Sequence, residues 1–503
     1  MDRNNMHWAE KLAFEVAEKK KPPFVISSGI TTSGPAHLGT LCEFLYPSKI
    51  RDMLVKNKHE TEFYFMADIM DAFDSVPLSM KEHEKTLAPH LGKPLAHVPD
   101  PTGKSRSFGD HFLDEVVGIM GKFGIEAKII RMNELYASGK PDRYAKFFLE
   151  NEKQAKEIVE RTSGKEEKKD WSPIMPICEK CGRIATTRVL SHDTENYEYA
   201  CDRDVKYTKG CGFSGKDAVG NRHYKITWRL HWPMWQDLFG TSCEGAGMDH
   251  FTKGGSRDTL EVVFTEMFKK EPPIGYKYGF ILFQGKKYSK SKGIGMGVSD
   301  LMSLLPPEVI TFILARPDLG ENKDISPSKD SLLRMMEEYE QSQELTEEGL
   351  GNLDRAGRKR AFAYMLSGKR HWKALFKDVL MYHSIYQDWA KTGEALGDAE
   401  GMQYLKNYVE EWIAKDYVPD EYNFKYQPRK ADGNVKDLMT ALPDNADALA
   451  IHNAVFNFAK EKGIVPAEFF KQIYLTLIGK EKGPRLGKLI FALGVGKVKA
   501  DVL

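Results

Sequence analysis

The stretch Ser27–Thr40 combines residue types that could bind a phosphate group. It follows a short apolar run, Phe24–Ile26, which predicts a buried strand, and it precedes Leu38, Leu41 and Leu45, whose spacing predicts a helix. The N-terminus of a helix offers backbone N–H groups and the positive end of a dipole, so it attracts phosphate. The local pattern therefore predicts a phosphate site at a strand-to-helix turn.

Three residues of this turn supply the local chemistry. Gly39 lets the backbone approach a ligand closely because it has no Cβ. Pro35 is tolerated in a first helical turn, and His37 in the same turn can donate a hydrogen bond. A glycine-rich turn with one histidine is also a common structural feature, so this stretch alone leaves both interpretations open.

A second stretch, Gly285–Gly293, places lysine and serine side chains on a short loop after an apolar strand. Such a loop can wrap a polyphosphate, and mobile lysines can stabilise the charge that develops in a transition state. The groups that could do so are Lys287, Ser289, Lys290 and Ser291. A loop of this composition is, by itself, more often a solvated surface turn.

Four cysteines have the spacing of a small zinc site. Cys178 and Cys181 form a Cys-x-x-Cys pair, and Cys201 and Cys211 follow in a stretch rich in glycine, threonine and tyrosine. Two thiolate pairs can complete a zinc tetrahedron, and a metal would replace the core that so small a segment lacks. The sequence predicts a structural zinc ion here, with four reduced thiols as the alternative.

Length and composition set the outer limits. The chain has 503 residues, enough for about three to four domains. Lysine plus arginine number 73 and aspartate plus glutamate 72, so no overall basic excess argues for or against binding to nucleic acid. The N-terminus is polar and charged and no long apolar run follows, so we expect a soluble, cytoplasmic protein with no membrane partner.

The order of apolar runs and helical patterns predicts an α/β fold with a doubly wound parallel sheet. The predicted strands include Glu62–Met66, Ala127–Ile130 and Tyr278–Phe283, and the predicted helices include Asp110–Phe123 and Pro141–Arg161. After about residue 317 the chain reads as helical almost to its end. Ligands on such sheets bind beyond the carboxyl ends of the strands, where the Ser27–Thr40 turn would lie.

The two phosphate motifs together resemble the signatures of class I aminoacyl-tRNA synthetases. Pro35-Ala-His37-Leu-Gly39 resembles the first signature and Lys287-Tyr-Ser-Lys290-Ser291 the second, in the same order and at a similar separation. The resemblance implies that the motifs face each other across ATP and Mg²⁺ in a Rossmann-like domain. It assigns catalysis to His37, Lys287 and Lys290, and ATP binding to Pro35, His37, Gly39, Lys287, Ser289, Lys290 and Ser291.

Further stretches resemble the class I lysyl-tRNA synthetases, the form typical of archaea and some bacteria. The more specific ones are Gly254-Gly-Ser-Arg-Asp-Thr259 and Gly483-Pro-Arg-Leu-Gly487. The resemblance implies L-lysine and tRNA(Lys) as partners. It implies a lysine pocket lined by Gly29, Thr31, Trp228, His250 and Tyr278, with Asp68, Asp71 and Asp249 as acidic candidates. Taken singly, the tryptophans would be core residues and the aspartates capping residues.

The chain departs from this family's pattern at three pocket positions. Relatives typically have adjacent acidic residues where this chain has Asp68-Ile69, an aspartate where His231 stands, and an acidic residue in place of Gly279. Each departure removes negative charge from or near a pocket meant for a cation. At a second zinc site of relatives, Lys104 and Ser105 replace the usual ligands, and Asp100 and His111 alone cannot complete a tetrahedron, so we expect no metal there.

The resemblance implies four regions. They are the first half of the catalytic domain (1–170), a zinc-ribbon-like insertion (171–222), the second half of the catalytic domain (223–320) and an all-α anticodon-binding region (321–503). The sequence is compatible with a monomer. Three alternatives stay open: another class I synthetase, such as one for glutamate with Arg229 or Arg257 as carboxylate receptor, a small-molecule nucleotidyltransferase, and a non-catalytic RNA-binding relative.

Overall fold

The computed structural model describes residues 5–287, 295–345, 350 and 353–503. The chain forms two compact units. The first comprises Met1–Leu301, Leu314–Ile325 and Leu350–Leu366, and the second comprises Met302–Ile313, Ser326–Gly349 and Ser367–Leu503.

The strands of the described residues are β1 (Phe24–Ile30), β2 (Thr61–Ala67), β3 (Lys128–Arg131), β4 (Ile174–Pro176), β5 (Arg188–His192), β6 (Asn196–Cys201), β7 (Asp204–Val205), β8 (Thr208–Lys209), β9 (Phe213–Ala218), β10 (Tyr224–Ile226), β11 (Cys243–Gly247), β12 (Ile274–Tyr278), β13 (Ile281–Phe283), β14 (Lys286–Lys287) and β15 (Lys323–Asp324).

The α-helices are α1 (Trp8–Lys19), α2 (Leu38–Lys56), α3 (Glu84–Leu87), α4 (Phe108–Lys122), α5 (Met132–Ala137), α6 (Asp142–Glu150), α7 (Glu152–Ser163), α8 (Trp228–Phe239), α9 (Ser256–Val262), α10 (Val298–Leu304), α11 (Pro307–Ala315), α12 (Lys329–Gln341), α13 (Arg355–Ser367), α14 (Phe376–Tyr386), α15 (Trp389–Leu396), α16 (Ala399–Ala414), α17 (Gly433–Ala441), α18 (Ala448–Glu461), α19 (Pro466–Ile478), α20 (Leu486–Leu493) and α21 (Val495–Val502).

A five-stranded parallel sheet organises the first unit, in the order β12-β11-β1-β2-β3. Strand β1 is central, and Ile26 is paired with Cys243 of β11 and Phe63 of β2. Helix α2 follows β1 and packs against β1 and β2 with a largely buried, apolar surface. The expected α/β class with a parallel sheet is confirmed, and the carboxyl ends of β1, β2, β11 and β12 meet at one edge.

In the sequence, short antiparallel strands lie between β3 and β11 of this sheet. Strands β5, β6 and β9 form a three-stranded sheet, β7 and β8 a hairpin, and β4 pairs with β10 through Lys225 and Met175. The second unit contains α12 and α14–α21. Its interior includes a buried carboxylate, Glu340, which accepts hydrogen bonds from Trp372 and from the backbone of Phe376.

Two predicted elements were wrong in extent. The helix expected over Pro141–Arg161 is two helices, α6 and α7, because the backbone leaves helical geometry at Asn151 (φ −109°, ψ 30°), whose side chain donates to the Phe147 carbonyl at 2.8 Å. The strand expected over Tyr278–Phe283 is also two elements. Strand β12 ends at Tyr278, and β13 joins a different sheet with β14 and β15.

Among the described helices, no single one is long and apolar enough to cross a membrane; the bent pair α10–α11 meets the criterion by length and composition only.

Candidate active site

A pocket of about 460 Å³ lies beyond the carboxyl ends of β1, β2, β11 and β12, all within the first unit. This is where a parallel α/β sheet is expected to bind its ligand. The pocket brings together most of the site residues that the sequence suggested, namely Gly29, Thr31, His37, Gly39, Asp68, Asp71, Trp228, Asp249, His250 and Tyr278.

The Ser27–Thr40 turn, called the phosphate turn below, differs from the prediction in one respect. Helix α2 begins at Leu38 rather than at Pro35. His37 is the N-cap, and its Nδ1 accepts a hydrogen bond from the Thr40 backbone N–H at 3.0 Å. A neutral ring with Nδ1 as acceptor carries its proton on Nε2, the nitrogen suited to donate to a phosphate oxygen. Pro35 precedes the cap and is not among the described residues that line the pocket.

Gly39 is needed to hold His37 in this position. A Cβ on Gly39 would lie 2.8 Å from His37 Cε1 and 3.0 Å from Nδ1. Gly29 serves packing as well as the pocket, because a Cβ there would lie 2.9 Å from the Met66 carbonyl oxygen on the adjacent strand. The two glycines therefore keep the turn close to the sheet and the histidine close to the turn.

The described residues on either side of the lysine/serine stretch lie at or beside the pocket. Strands β13 and β14 form a hairpin whose turn, Gln284–Gly285, has two positive φ angles, and Lys287 ends β14. Ser289, Lys290 and Ser291 lie outside the described residues. Gly279–Ile281 line the pocket before this stretch, and Gly297 after it forms a β-bridge with His37.

The acidic candidates after β2 already have an internal cation. Lys225 Nζ, on β10, donates to Asp68 Oδ2 at 2.7 Å and also to Asp71. Asp71 in turn accepts a hydrogen bond from the Thr31 hydroxyl at 2.5 Å. The sequence predicted Asp68, Asp71 and Thr31 in one pocket but not the lysine that joins them.

This cluster is strongly buried on one side. The Lys225 and Asp68 side chains are each 3% exposed, whereas the Asp71 side chain is 37% exposed. Burial opposes ionisation of Asp68, but the ammonium of Lys225 holds the pKa of this carboxyl well below its usual range. Burial lowers the pKa of His231, so its ring adds no positive charge at neutral pH.

Glu43 is a pocket residue that the sequence analysis missed. It lies on α2, accepts a hydrogen bond from Ser28 Oγ at 3.3 Å and another from the Tyr278 hydroxyl, and lines the pocket. Burial raises the pKa of its carboxyl to about 7. Among the described residues Glu43 has no cation within ion-pair distance. The signal was present in the sequence, since Glu43 interrupts the apolar run 41–46 of a core helix.

An aromatic wall completes the pocket. Trp228 stacks on Trp232 with ring centroids 5.6 Å apart and an interplanar angle of 12°, and His250 lies at 6.1 Å from Trp228. The Trp228 indole donates to Ser256 Oγ at 2.9 Å, so the Gly254–Thr259 motif supports the wall. Behind it, the buried Glu244 accepts from the Trp232 indole at 3.1 Å.

The two arginines proposed as carboxylate receptors for a glutamate substrate make hydrogen bonds outside the pocket. Arg229 donates to the carbonyl oxygens of Gly254 and Gly255. Arg257 donates to the Pro273 carbonyl and to Glu261. Neither arginine is among the described pocket-lining residues.

The four cysteines converge as a metal site would require. The sulfur atoms of Cys178, Cys181, Cys201 and Cys211 all lie within 4.8 Å of one another. The Cys178–Cys211 and Cys181–Cys201 sulfur distances are both 3.7 Å. Four thiolates at about 2.3 Å from a tetrahedral zinc ion are about 3.8 Å apart, so the residues present fit zinc.

At the second zinc site of relatives, the Asp100 carboxylate is a hydrogen-bond acceptor for its own loop. It accepts from the backbone N–H groups of Thr102, Lys104 and Ser105 at 2.9–3.0 Å. His111 Nδ1 lies 3.4 Å from Asp100 Oδ1.

Comparison with known proteins shows which class of proteins this chain belongs to. A family model described as tRNA synthetases class I (K) matches residues 6–368. A lysine–tRNA ligase of Thermoplasma volcanium is 30% identical, with 97% of each chain covered, and one of Archaeoglobus fulgidus is 30% identical, with 99% of each covered. A solved glutamate–tRNA synthetase from Elizabethkingia anophelis is 13% identical, with a TM-score of 0.43 over 95% of this chain and 98% of that one.

The match to the family model over residues 6–368 shows that the chain is a class I aminoacyl-tRNA synthetase, and the parallel sheet is consistent with that class. Within that class, the chain belongs to the (K) family, the group whose letter stands for lysine.

Proposed function

We propose that this protein is a lysine–tRNA ligase, which activates L-lysine with ATP and transfers the lysyl group to the 3′ end of tRNA(Lys). One observation carries the proposal beyond family membership. The pocket that receives the N-terminus of α2, with His37 and Gly39, also contains Glu43, an enclosed carboxyl with no described cationic partner. A single pocket thus offers a phosphate site and an acceptor for a buried ammonium group.

Burial indicates how lysine would lie in the pocket. The substrate carboxylate must reach ATP near His37, so the α-carbon belongs at the open side, where Asp71 and Thr31 lie. The side-chain ammonium would then reach Glu43 beside Tyr278. The aromatic walls can hold the four-carbon stem and contribute a cation–π contact.

In the proposed reaction the lysine carboxylate attacks the α-phosphorus of ATP, giving lysyl-adenylate and pyrophosphate. The terminal ribose hydroxyl of tRNA then attacks the adenylate carbonyl and AMP leaves. No protein nucleophile is needed. His37 Nε2–H and the Gly39 backbone would orient the phosphates, while Lys287 and Lys290 would stabilise the charge that develops on pyrophosphate.

Other parts of the chain have supporting roles in this proposal. ATP would enter as its Mg²⁺ complex, as is usual for nucleotides, and the metal would offset part of the phosphate charge. Zinc would be held by Cys178, Cys181, Cys201 and Cys211 and would fix the fold of the insertion 171–222. The helical region 321–503 would bind the anticodon, and a translation enzyme of this kind would act in the cytoplasm.

Amino-acid-dependent ATP–pyrophosphate exchange, measured with each of the twenty amino acids and with and without tRNA, tests the proposal. We expect exchange with lysine only. The arm with tRNA is required because some class I synthetases activate their amino acid only in its presence. The assignment would be wrong if only glutamate supported exchange. It would also be wrong if none of the twenty amino acids supported exchange, either with or without tRNA.

Replacing Gly39 by alanine should slow activation without unfolding the protein. The new Cβ would displace the His37 ring and break its bond from Thr40, since it would lie 2.8 Å from the ring. A displacement of about 1 Å at a reacting centre costs about a hundredfold in rate, so kcat for exchange should fall by about that factor. Gly118→Ala on α4 is the control, because nothing lies within 4 Å of a Cβ there.

A further inference from the structure

Lys225 presents a feature that the proposed function does not explain. A pocket meant for a substrate with two ammonium groups would be expected to keep its acidic groups available, yet two of them, Asp68 and Asp71, are bound to a lysine of the protein itself. Burial alone would lower the pKa of Lys225, but the two carboxylates raise it, so the ammonium is charged. The cluster then has two negative charges and one positive charge.

Lysine poses a problem that this arrangement can solve. The substrate has ammonium groups at both ends of its carbon chain, and the pocket has acidic groups on both sides of β1, with Glu43 on one side and the Asp68–Asp71 pair on the other. Without an internal cation, the carboxylates of the pair could take the side-chain ammonium in competition with Glu43, and the substrate could bind in either direction. Only one direction brings the carboxylate to the phosphate turn.

Based on the proposed function, we propose that Lys225 is a positioning residue that sets the direction in which lysine binds. It acts through Asp71. By cancelling one charge of the acidic pair and holding Asp71 against Thr31, it leaves the pair suited to the α-ammonium group, whose neighbouring carboxylate offsets part of its charge. The side-chain ammonium is left for Glu43.

Two further contacts support this role. Asp71 uses one oxygen for Lys225 and the other for Thr31, so its orientation is fixed from both sides. Asp68 Oδ1 is buried and has no hydrogen-bond partner among the described residues, so this carboxylate depends on Lys225, which donates to its other oxygen. His231, neutral and 3.4 Å from Asp68, adds bulk there without adding charge.

The test uses cadaverine, a diamine with the two ammonium groups of lysine nearly in place but no carboxylate. In Lys225→Met the half-exposed Asp71 loses its bound cation and can pair with a diamine, so we expect cadaverine to bind about tenfold more tightly by calorimetry. Lysine should bind in mixed directions, and kcat for exchange should fall by about a hundredfold. Lys225→Arg should restore both values towards those of the wild type.

Opposite changes in diamine affinity and kcat separate this role from a merely structural one, which would weaken both. If Lys225→Met does not fold, Lys225→Met/Asp68→Asn removes the buried cation with its buried partner. In that variant Asp71 also lacks its cation, so cadaverine should again bind more tightly, while kcat falls because Asp71 is no longer held. Lys128→Met is the control, since Lys128 pairs with Glu62 at the other end of β2.

Wild-type kcat in Lys225→Met, or in the double variant, would overturn the inference, as would weaker cadaverine binding to Lys225→Met. Failure of the proposed function looks different, because the wild type would then show no lysine-dependent exchange. The cadaverine measurement still decides the charge argument in that case, since it needs no turnover.

Discussion

Replacing Glu43 by glutamine should raise the KM for lysine in ATP–pyrophosphate exchange by two to three orders of magnitude. The side chain keeps its shape and its bonds to Ser28 and Tyr278 but loses the charge. A buried ammonium that loses its counter-ion costs about 3–5 kcal/mol, and about 1.4 kcal/mol is a factor of ten. The KM for ATP should change little, because the phosphate turn is not altered.

The matched control is Glu62→Gln, at the opposite end of the sheet from the pocket. Glu62 pairs with Lys128 on the protein surface, so its loss should leave both KM values unchanged. If Glu43→Gln keeps the wild-type KM for lysine, the side-chain ammonium is bound elsewhere. The acidic pair beside Lys225 would then be the remaining acceptor.

The same carboxyl predicts a pH dependence. Burial raises the pKa of Glu43 to about 7 in the empty pocket, so below pH 7 the group is mostly protonated and cannot pair with an ammonium. The ammonium of lysine stays charged throughout this range. We therefore expect kcat/KM for lysine to fall by up to about tenfold per pH unit as pH drops below 7. In Glu43→Gln, this fall of kcat/KM for lysine below pH 7 should be absent.

Local patterns were enough to predict one half of the site. The Ser27–Thr40 turn follows from a strand, a helix and glycines that are adjacent in the sequence, and the parallel sheet follows from the alternation of elements. The pocket contains Asp68 and Asp71 as expected, because both follow directly after β2. These are properties of short stretches of sequence.

The charge balance of the pocket could not be predicted in this way. Lys225 reaches Asp71 across 154 residues of sequence, through a β10–β4 pairing that no periodicity specifies. Its position between Tyr224 and Ile226 suggests only a strand. The departures at Ile69, His231 and Gly279 had suggested a pocket short of negative charge, and the structure adds an internal cation that lowers it further.

Loss of the proposed zinc ion should also affect Lys225. The four cysteine sulfurs lie within 4.8 Å of one another, and Cys178 comes two residues after β4, the strand that pairs with β10 and so carries Lys225 into the pocket. Structural zinc sites contribute on the order of 10 kcal/mol to folding. We expect Cys201→Ala to lose zinc and to become sensitive to proteolysis within residues 171–222.

The rate of lysine activation should fall as zinc is lost. Without zinc the β4–β10 pairing loses its anchor at Cys178, Lys225 no longer holds Asp71, and kcat for lysine activation should fall together with zinc content. Cys243→Ala is the matched control, because Cys243 is buried in β11 outside the cluster and should leave one zinc ion per chain. Full activity in a zinc-free Cys201→Ala protein would show that β10 is held in place by its own packing, and the insertion would then have no part in shaping the pocket.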